Sequence, residues 1–469
     1  MNNDSTGRIV SGLRRWIAQA PPGAQVPSNR SLMAQYAASP VTVQKAMRQL
    51  SASGLVESRP GVGTFVRAVR QSQPADYGWQ TAALGAPQNR SLMLSSTQRM
   101  AAPDVIGLHS GYPARELLPE RLVRAAIARA ARTEASLTRS PAAGLPELQA
   151  WFATELANAG PAGIRAPSAR DALIISGSQS GLSSIFRALI GPGQPLLIES
   201  PTYWGAILAA EQAGVTLIPV PTGAPGPDPN DIDRAFKVTG ARGFYAQPTF
   251  ANPTGAKWPA ETGQAVLEIV RQHGAFLVED DWAHDLAIDS EPHPLAAYDD
   301  DGHVIYLRSL TKSVSPALRV AAVIARGPAR ERILADRAAE SMYVSGILQA
   351  AALDVITQPG WRSHLRGFRQ NLRGRRDSLL DSLRQHAPTA EVENIPTGGL
   401  NLWVRLPEGT DVTRLAQDCE TRGLVIAPGA EWFPAEPSGP YVRLNYSGQN
   451  PERFPEASRI LGEALTQMT

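Results

Sequence analysis

Cysteine is nearly absent from this chain of 469 residues. Cys419 stands alone, so no disulfide can form within the chain, and a reducing, cytoplasmic setting is expected. Long apolar runs are missing too. The best candidate, 317–325, is short and carries Arg319, well under the ~20 residues that span a bilayer, so no membrane role is expected. The opening MNNDSTGRIV has no apolar h-region, and no signal peptide is expected. The 7 histidines, His273 and His284 among them, show no metal-ligand spacing and read as structural or surface residues, with no metal site. Acidic residues are scarce at the start. Residues 1–70 hold nine Lys and Arg against Asp4 and Glu57, a net +7, which leaves −5 of the overall +2 for the remainder. A basic head on a mildly acidic body suggests a nucleic-acid-binding module joined to something else; charge alone equally allows a solvated basic surface. What is present is ordinary globular material, 43% hydrophobic and 19% charged, long enough for two or three domains.

In the head, Ile9, Leu13, Trp16 and Ile17 recur at helical spacing over residues 6–20, and Pro21-Pro22-Gly23 ends that helix. Ser28 is placed to cap a second helix with Leu32, Met33 and Tyr36 inward. Ser39-Pro40 opens a third, with Val43, Ala46, Met47 and Leu50 inward and Thr42, Gln44, Lys45, Arg48 and Gln49 outward. Gly54 stops it. Residues 55–58 and 64–66 flank Arg59-Pro60-Gly61-Val62-Gly63 as a β-hairpin. Three helices and a hairpin make a winged helix-turn-helix, whose third helix would enter the major groove of double-stranded DNA. The stretches PGAQVPSNR, Thr42-Val43 and GLVESRPGVGTFV resemble the GntR-type DNA-binding domain over nearly all of residues 6–67. That resemblance places Arg30, Thr42, Gln44 and Gly61 at DNA, with Lys45 and Arg48 on the same outward face. Pro40 and Gln44 depart from the basic residues the family often has there.

Residues 71–101 lack a sustained period and read as a linker, with Leu92 and Leu94 able to dock. The head is thus bounded as 1–70 and the body as 102–469. In the body, short apolar runs at 172–175, 195–198, 215–220, 243–246, 275–278, 304–307 and 320–324 alternate with helical stretches, the pattern of an α/β domain with a mostly parallel sheet. Strands at 399–406 and 441–446 suggest a smaller α/β lobe. The large lobe is expected over about 131–330 and the small one over about 345–469.

Chemistry gathers after the strand ends, where open α/β sheets bind ligands. Lys312 follows the run 304–307. Ser178 and Gln179 open a helix after 172–175, a preferred phosphate position. Tyr203 follows 195–198, Asn252 follows 243–246, and Asp280 ends the apolar run 275–278, where a carboxylate needs a partner. A phosphate cradle, an amine, a carboxylate, an amide and a ring together fit pyridoxal 5′-phosphate. Their order resembles a fold-type-I aminotransferase domain over about 102–469. The resemblance implies a Schiff base (an aldimine) on Lys312, Asp280 on the pyridine nitrogen, Asn252 on the ring hydroxyl and Tyr203 stacked on the ring. It implies Ser178, Gln179, Ser309 and Arg319 on the phosphate, and Arg443 on the α-carboxylate of an amino acid. Trp282 stands where relatives usually carry a Tyr, Thr138 near where a Tyr often reaches the neighbouring subunit, and Thr311 replaces a common Ser.

The whole layout resembles MocR-type transcriptional regulators. It implies a head-to-tail homodimer that binds an operator and senses pyridoxal phosphate, or an amino acid or related amine reacting with it, with slow or negligible turnover. Two other readings stay open: a working aminotransferase with an accessory head, and a sensor of the vitamin alone.

Overall fold

The computed structural model describes residues 5–67, 80, 83, 95–102 and 104–468. Leu92, Leu94 and most of the expected linker lie outside the described residues. Two compact units divide the chain, Met1–Ser91 and Leu92–Thr469.

In the first unit, α1 (Ser5–Gln19) buries Ile9, Val10, Leu13 and Ile17 on one face. α2 (Asn29–Tyr36) begins where the Ser28 hydroxyl accepts the Ser31 N–H, and ends at Ala37 in the left-handed region. α3 (Pro40–Ala52) begins where Ser39 accepts the Thr42 N–H, with Pro40 in the first turn. Each cap satisfies a backbone donor that the helix cannot. The strands β1 (Val56–Arg59) and β2 (Gly63–Val66) pair antiparallel from Val56↔Val66 to Arg59↔Gly63. Their turn holds Gly61 at φ +73°, a value that costs a side chain about 1–2 kcal/mol. Residues 23–26 add a third edge, with the Val26 N–H on the Thr64 carbonyl at 2.8 Å. Leu32, Val43, Ala46, Leu50, Val56 and Val66 close the core with the face of α1.

In the second unit the strands are β3 (Ile106–Gly107), β4 (Ala172–Ile175), β5 (Pro195–Ser200), β6 (Thr216–Gly223), β7 (Gly226–Pro227), β8 (Gly243–Ala246), β9 (Phe276–Asp281), β10 (Val304–Ser309), β11 (Ala321–Ile324), β12 (Glu391–Val392), β13 (Asn401–Arg405), β14 (Leu424–Val425), β15 (Ala427–Pro428) and β16 (Tyr441–Asn445). The large sheet has the order β4-β11-β10-β9-β8-β5-β6-β7. β10, β9, β8, β5 and β6 run parallel, while β11 is antiparallel to both its neighbours and β7 to β6. All seven apolar runs are strands of this one sheet, and its carboxyl edge gathers the loops after β4, β5, β8, β9 and β10. A smaller antiparallel sheet, β12-β13-β16-β15, carries the second lobe, and β3 pairs β14 in parallel.

The lobes divide differently from the expected boundaries. The helix Gly346–Thr357 is apolar nearly all round and buries Ala351, Ala352, Val355 and Ile356 in the core of the large sheet, together with Phe152 and Leu277. Ile106, Leu108 and Leu117, from the start of the body, pack instead in the small-lobe core with Phe368, Leu379 and Leu402. A helix with no polar face has to be buried on several sides, and the groove beside the sheet supplies that burial.

Candidate functional site

A cavity opens at the carboxyl edge of the large sheet. Every residue expected at the cofactor or the carboxylate lines it: Ser178, Gln179, Tyr203, Asn252, Asp280, Ser309, Lys312, Arg319 and Arg443. The Lys312 Nζ donates to the Gly111 carbonyl at 2.7 Å and lies 3.2 Å from the centre of the Tyr112 ring. Burial, then the nearby guanidinium groups of Arg443 and Arg319, push its pKa well below the usual lysine value. A neutral amine is the nucleophilic form.

Asp280 is fully buried at the end of β9. Its Oδ2 accepts from the Tyr245 hydroxyl and from the Gln247 Nε2, each at 2.9 Å, while Oδ1 has no partner among the described residues. Burial raises its pKa to about 6, against the two hydrogen bonds. Its neighbours in sequence serve other ends. Glu279 accepts the Leu295 and Ala296 N–H groups and is pushed up to about 8 by burial. Asp281 binds His284 and the Tyr306 hydroxyl at 2.6 Å each.

On the small-lobe side, Arg443 is 1% exposed and sits over the Trp432 ring at 4.8 Å. Its Nη1 donates to Asn252 Oδ1 at 3.2 Å and its Nη2 to the His109 and Ser110 carbonyls. Its buried Nε has no partner among the described residues, and burial lowers its pKa to about 10. On the opposite side, Ser178 and Gln179 form the first turn of the helix Ser178–Ile185. Gly177 precedes it at φ +86°, and a Cβ there would come within 2.8 Å of the Arg319 Nη2. The glycine is therefore what lets Arg319 lie against the helix start. The Tyr203 hydroxyl donates to Gln179 Oε1 at 3.2 Å. Ser309 Oγ accepts the Thr311 N–H at 3.1 Å, and Thr311 Oγ1 is a further buried orphan.

These orphans fit pyridoxal phosphate. The free Asp280 oxygen suits a protonated ring nitrogen, the helix start and Arg319 suit a phosphate, and the Lys312 amine suits an aldehyde. The Trp282 N–H donates instead to the Phe250 carbonyl at 3.1 Å, so the ring that replaces a tyrosine is hydrogen-bonded away from the cavity it borders. Thr138 is exposed and bonded to the Glu134 carbonyl. Gly111, Tyr112, Gln247, Thr97, Gln98 and Trp204 also line the cavity, and no sequence pattern singles them out. For Gln247 the missing signal is register: β8 pairs β9 through Ala246↔Glu279, so the next residue lies beside Asp280.

In the head, Arg30 on α2, Gln44, Lys45 and Arg48 on α3, and Gly61 at the hairpin turn are all exposed or half-exposed. Arg30, Lys45 and Arg48 form no ion pair among the described residues. Thr42 is half-buried, and its hydroxyl is shared with Ser39 at 2.8 Å. Arg59 is occupied by Glu57 at 2.6 Å and lies over Phe65.

The sequence matches the family Aminotransferase class I and II over residues 103–460 and the family Bacterial regulatory proteins, gntR family, over residues 6–66. A 2-aminoadipate transaminase of Thermus thermophilus is 30% identical over 80% of this chain and 92% of its own. The HTH-type transcriptional regulators YdfD of Bacillus subtilis and YjiR of Escherichia coli are 27% and 26% identical. They cover 96% and 98% of this chain, and 93% and 96% of their own. Among solved structures, α-aminoadipate aminotransferase LysN from Thermus thermophilus, complexed with N-(5′-phosphopyridoxyl)-L-leucine, has a TM-score of 0.72 at 27% identity, over 80% of this chain and 96% of that one. The matched family and this neighbour imply pyridoxal 5′-phosphate as the cofactor of the body. No helix among the described residues is long and apolar enough to cross a membrane. The chain belongs to the aminotransferase class I and II family and bears a gntR-family DNA-binding head, the layout of MocR-type transcriptional regulators.

Proposed function

We propose that this regulator senses the occupancy of its aminotransferase-like cavity, by pyridoxal phosphate together with an amino acid or related amine, and alters its hold on operator DNA accordingly. The observation that carries the reading is the position of Thr97 and Gln98. They line the same cavity as Lys312 and Arg443, on the stretch of chain that arrives from the head. That stretch is fastened beside the cavity: the Ser95 hydroxyl and the Ser96 N–H both donate to Glu431, at 2.5 and 2.9 Å, and the next residue, Trp432, lies under Arg443. A ligand carboxylate drawn to Arg443 would act on a side chain one residue away from that fastening.

Bound pyridoxal phosphate supplies an aldehyde that condenses with primary amines and a ring that accepts electrons. Ser178, Gln179, Ser309 and Arg319 would hold its phosphate, Tyr203 its ring face, Asn252 its hydroxyl and Asp280 its ring nitrogen. Lys312 offers an amine at the aldehyde end and can carry a proton on Nζ. Arg443 retains its Nε for a carboxylate. Sensing requires binding alone, whereas turnover also requires repeated proton movement and product release. A homodimer would present two heads to two half-sites.

The test pairs two measurements on the purified full chain. Turnover is measured over a panel of amino donors and keto-acid acceptors, and the promoters of its own and adjacent genes are footprinted. Slow turnover with a protected operator is the expected result. Turnover typical of metabolic enzymes with no protected operator would favour the enzyme reading.

A further inference from the structure

We infer that Gln247 is a positioning residue that sets Asp280 and Asn252 together toward the cofactor; the inference rests on the cavity's being a pyridoxal phosphate site. Gln247 is 2% exposed, and its side-chain amide and backbone N–H all have defined partners. Its Nε2 donates to Asp280 Oδ2 at 2.9 Å. Its Oε1 accepts the Asn252 N–H at 2.8 Å. Its own N–H donates to Glu199 Oε2 at 2.7 Å. Glu199 is held from two further sides, by the Thr222 hydroxyl and the Trp258 indole N–H, both at 3.2 Å. One amide thus joins the carboxylate that would face the ring nitrogen to the loop that carries Asn252, and a buried carboxylate fixes that amide's backbone.

The consequence is electrostatic as well as geometric. Asp280 has two donors on Oδ2 and none among the described residues on Oδ1, and hydrogen bonds to the charged form favour it. Of these donors Gln247 alone also holds Asn252. The titratable groups facing Asp280 are Tyr245 from β8, Asp281 from its own strand and Tyr203 from the loop after β5. Lys312, Arg319 and Arg443 face the shared cavity. With the Gln247 donor removed, the Asp280 carboxylate would be more basic and would draw the shared proton away from the ring nitrogen. A positive ring nitrogen disfavours a second proton at the Lys312 end, so a less positive ring would let that end keep its proton to higher pH.

The experiment is a pH titration of the visible absorption of the full chain loaded with pyridoxal phosphate, together with the cofactor Kd. It compares wild type with Gln247→Met, Gln247→Glu and Tyr245→Phe. Gln247→Met should raise the pH midpoint by about one unit and weaken the cofactor about ten-fold. Gln247→Glu keeps an acceptor for Asn252 but places a carboxylate against Asp280, and should raise the midpoint further. Tyr245→Phe should raise it while leaving the Asn252 contact intact, and the Glu and Phe variants carry the test if Gln247→Met does not fold. A purely structural role would lower the melting temperature and the affinity without moving the midpoint. Soluble, cofactor-binding Gln247 variants with the wild-type midpoint would overturn the inference while the cofactor reading stands. A wild-type chain that takes up no cofactor would overturn that reading, and the inference with it.

Discussion

Lys312 keeps its amine 2.7 Å from a backbone carbonyl and beside two guanidinium groups that disfavour its charge. Burial and those groups favour the neutral amine, and borohydride reduction of the loaded protein should fix the cofactor on the peptide containing Lys312. Lys312→Ala should leave no fixed label; a label on another lysine would refute the assignment. Asp280 gives a second residue-scale test. Its pKa in the cofactor-free protein is raised from 3.8 to about 6, so the folded state retains a proton that the unfolded chain loses over that interval. The stability it contributes is complete below pH 3.8 and lost as pH rises through 6. Cofactor-free Asp280→Asn should therefore be more stable than wild type above pH 6, by on the order of 2–3 kcal/mol, and show no such advantage below pH 4. Its amide oxygen can still accept from Tyr245 and Gln247. Chemical denaturation at the two pH values decides it, and a pH-independent difference would contradict desolvation of the carboxylate as the cause. Lys312, Asp280 and Arg443 are legible in the sequence because each ends, follows or lies within an apolar run in a recognisable order. Tyr112 and Gln247 are not. Tyr112 reaches Lys312 only because the start of the body folds back over the sheet edge, and Gln247 meets Asp280 only through strand register.

At the scale of elements, caps and periodicity carry most of the head. Ser28 and Ser39 accept the N–H groups expected of them, and α3 buries Val43, Ala46 and Leu50. Ser39→Ala should cost about 1 kcal/mol and lower the urea midpoint of the head, since it leaves the Thr42 N–H without its acceptor. On DNA, Arg30→Ala and Lys45→Ala should each weaken binding. If Lys45 meets a phosphate, its loss should flatten the plot of log K against log salt by about 0.9. Binding that is insensitive to salt would contradict the role of the exposed α2–α3 face. The body's strands are legible where they are long and apolar. β7, β12 and β15 have two residues each and carry no period to read. The helix Gly346–Thr357 falls on the other side of the expected lobe boundary because uniform apolarity says that a helix is buried without saying in which core.

At the scale of the whole molecule, the proposed function asks a cavity in one unit to alter DNA binding by another. The Ser95–Glu431 fastening stands where the chain enters the body, one residue from the ring under Arg443. Glu431→Gln should loosen it, and Thr97 and Gln98 with it, while leaving Lys312, Asp280 and Asn252 in place. Cofactor affinity and operator affinity measured separately should then stay near wild type, while the effect of an amino acid on operator affinity shrinks. A variant whose response to the amino acid equals that of wild type would show that the fastening carries no signal. One titration decides whether the cavity and the operator are coupled. Operator affinity of the cofactor-loaded full chain is measured with and without saturating amino acids, drawn from a panel that changes the cofactor's absorption spectrum. Coupling of about 1–3 kcal/mol predicts a 5–150-fold change in Kd. An amino acid that visibly reacts in the cavity while leaving operator affinity unchanged would contradict it.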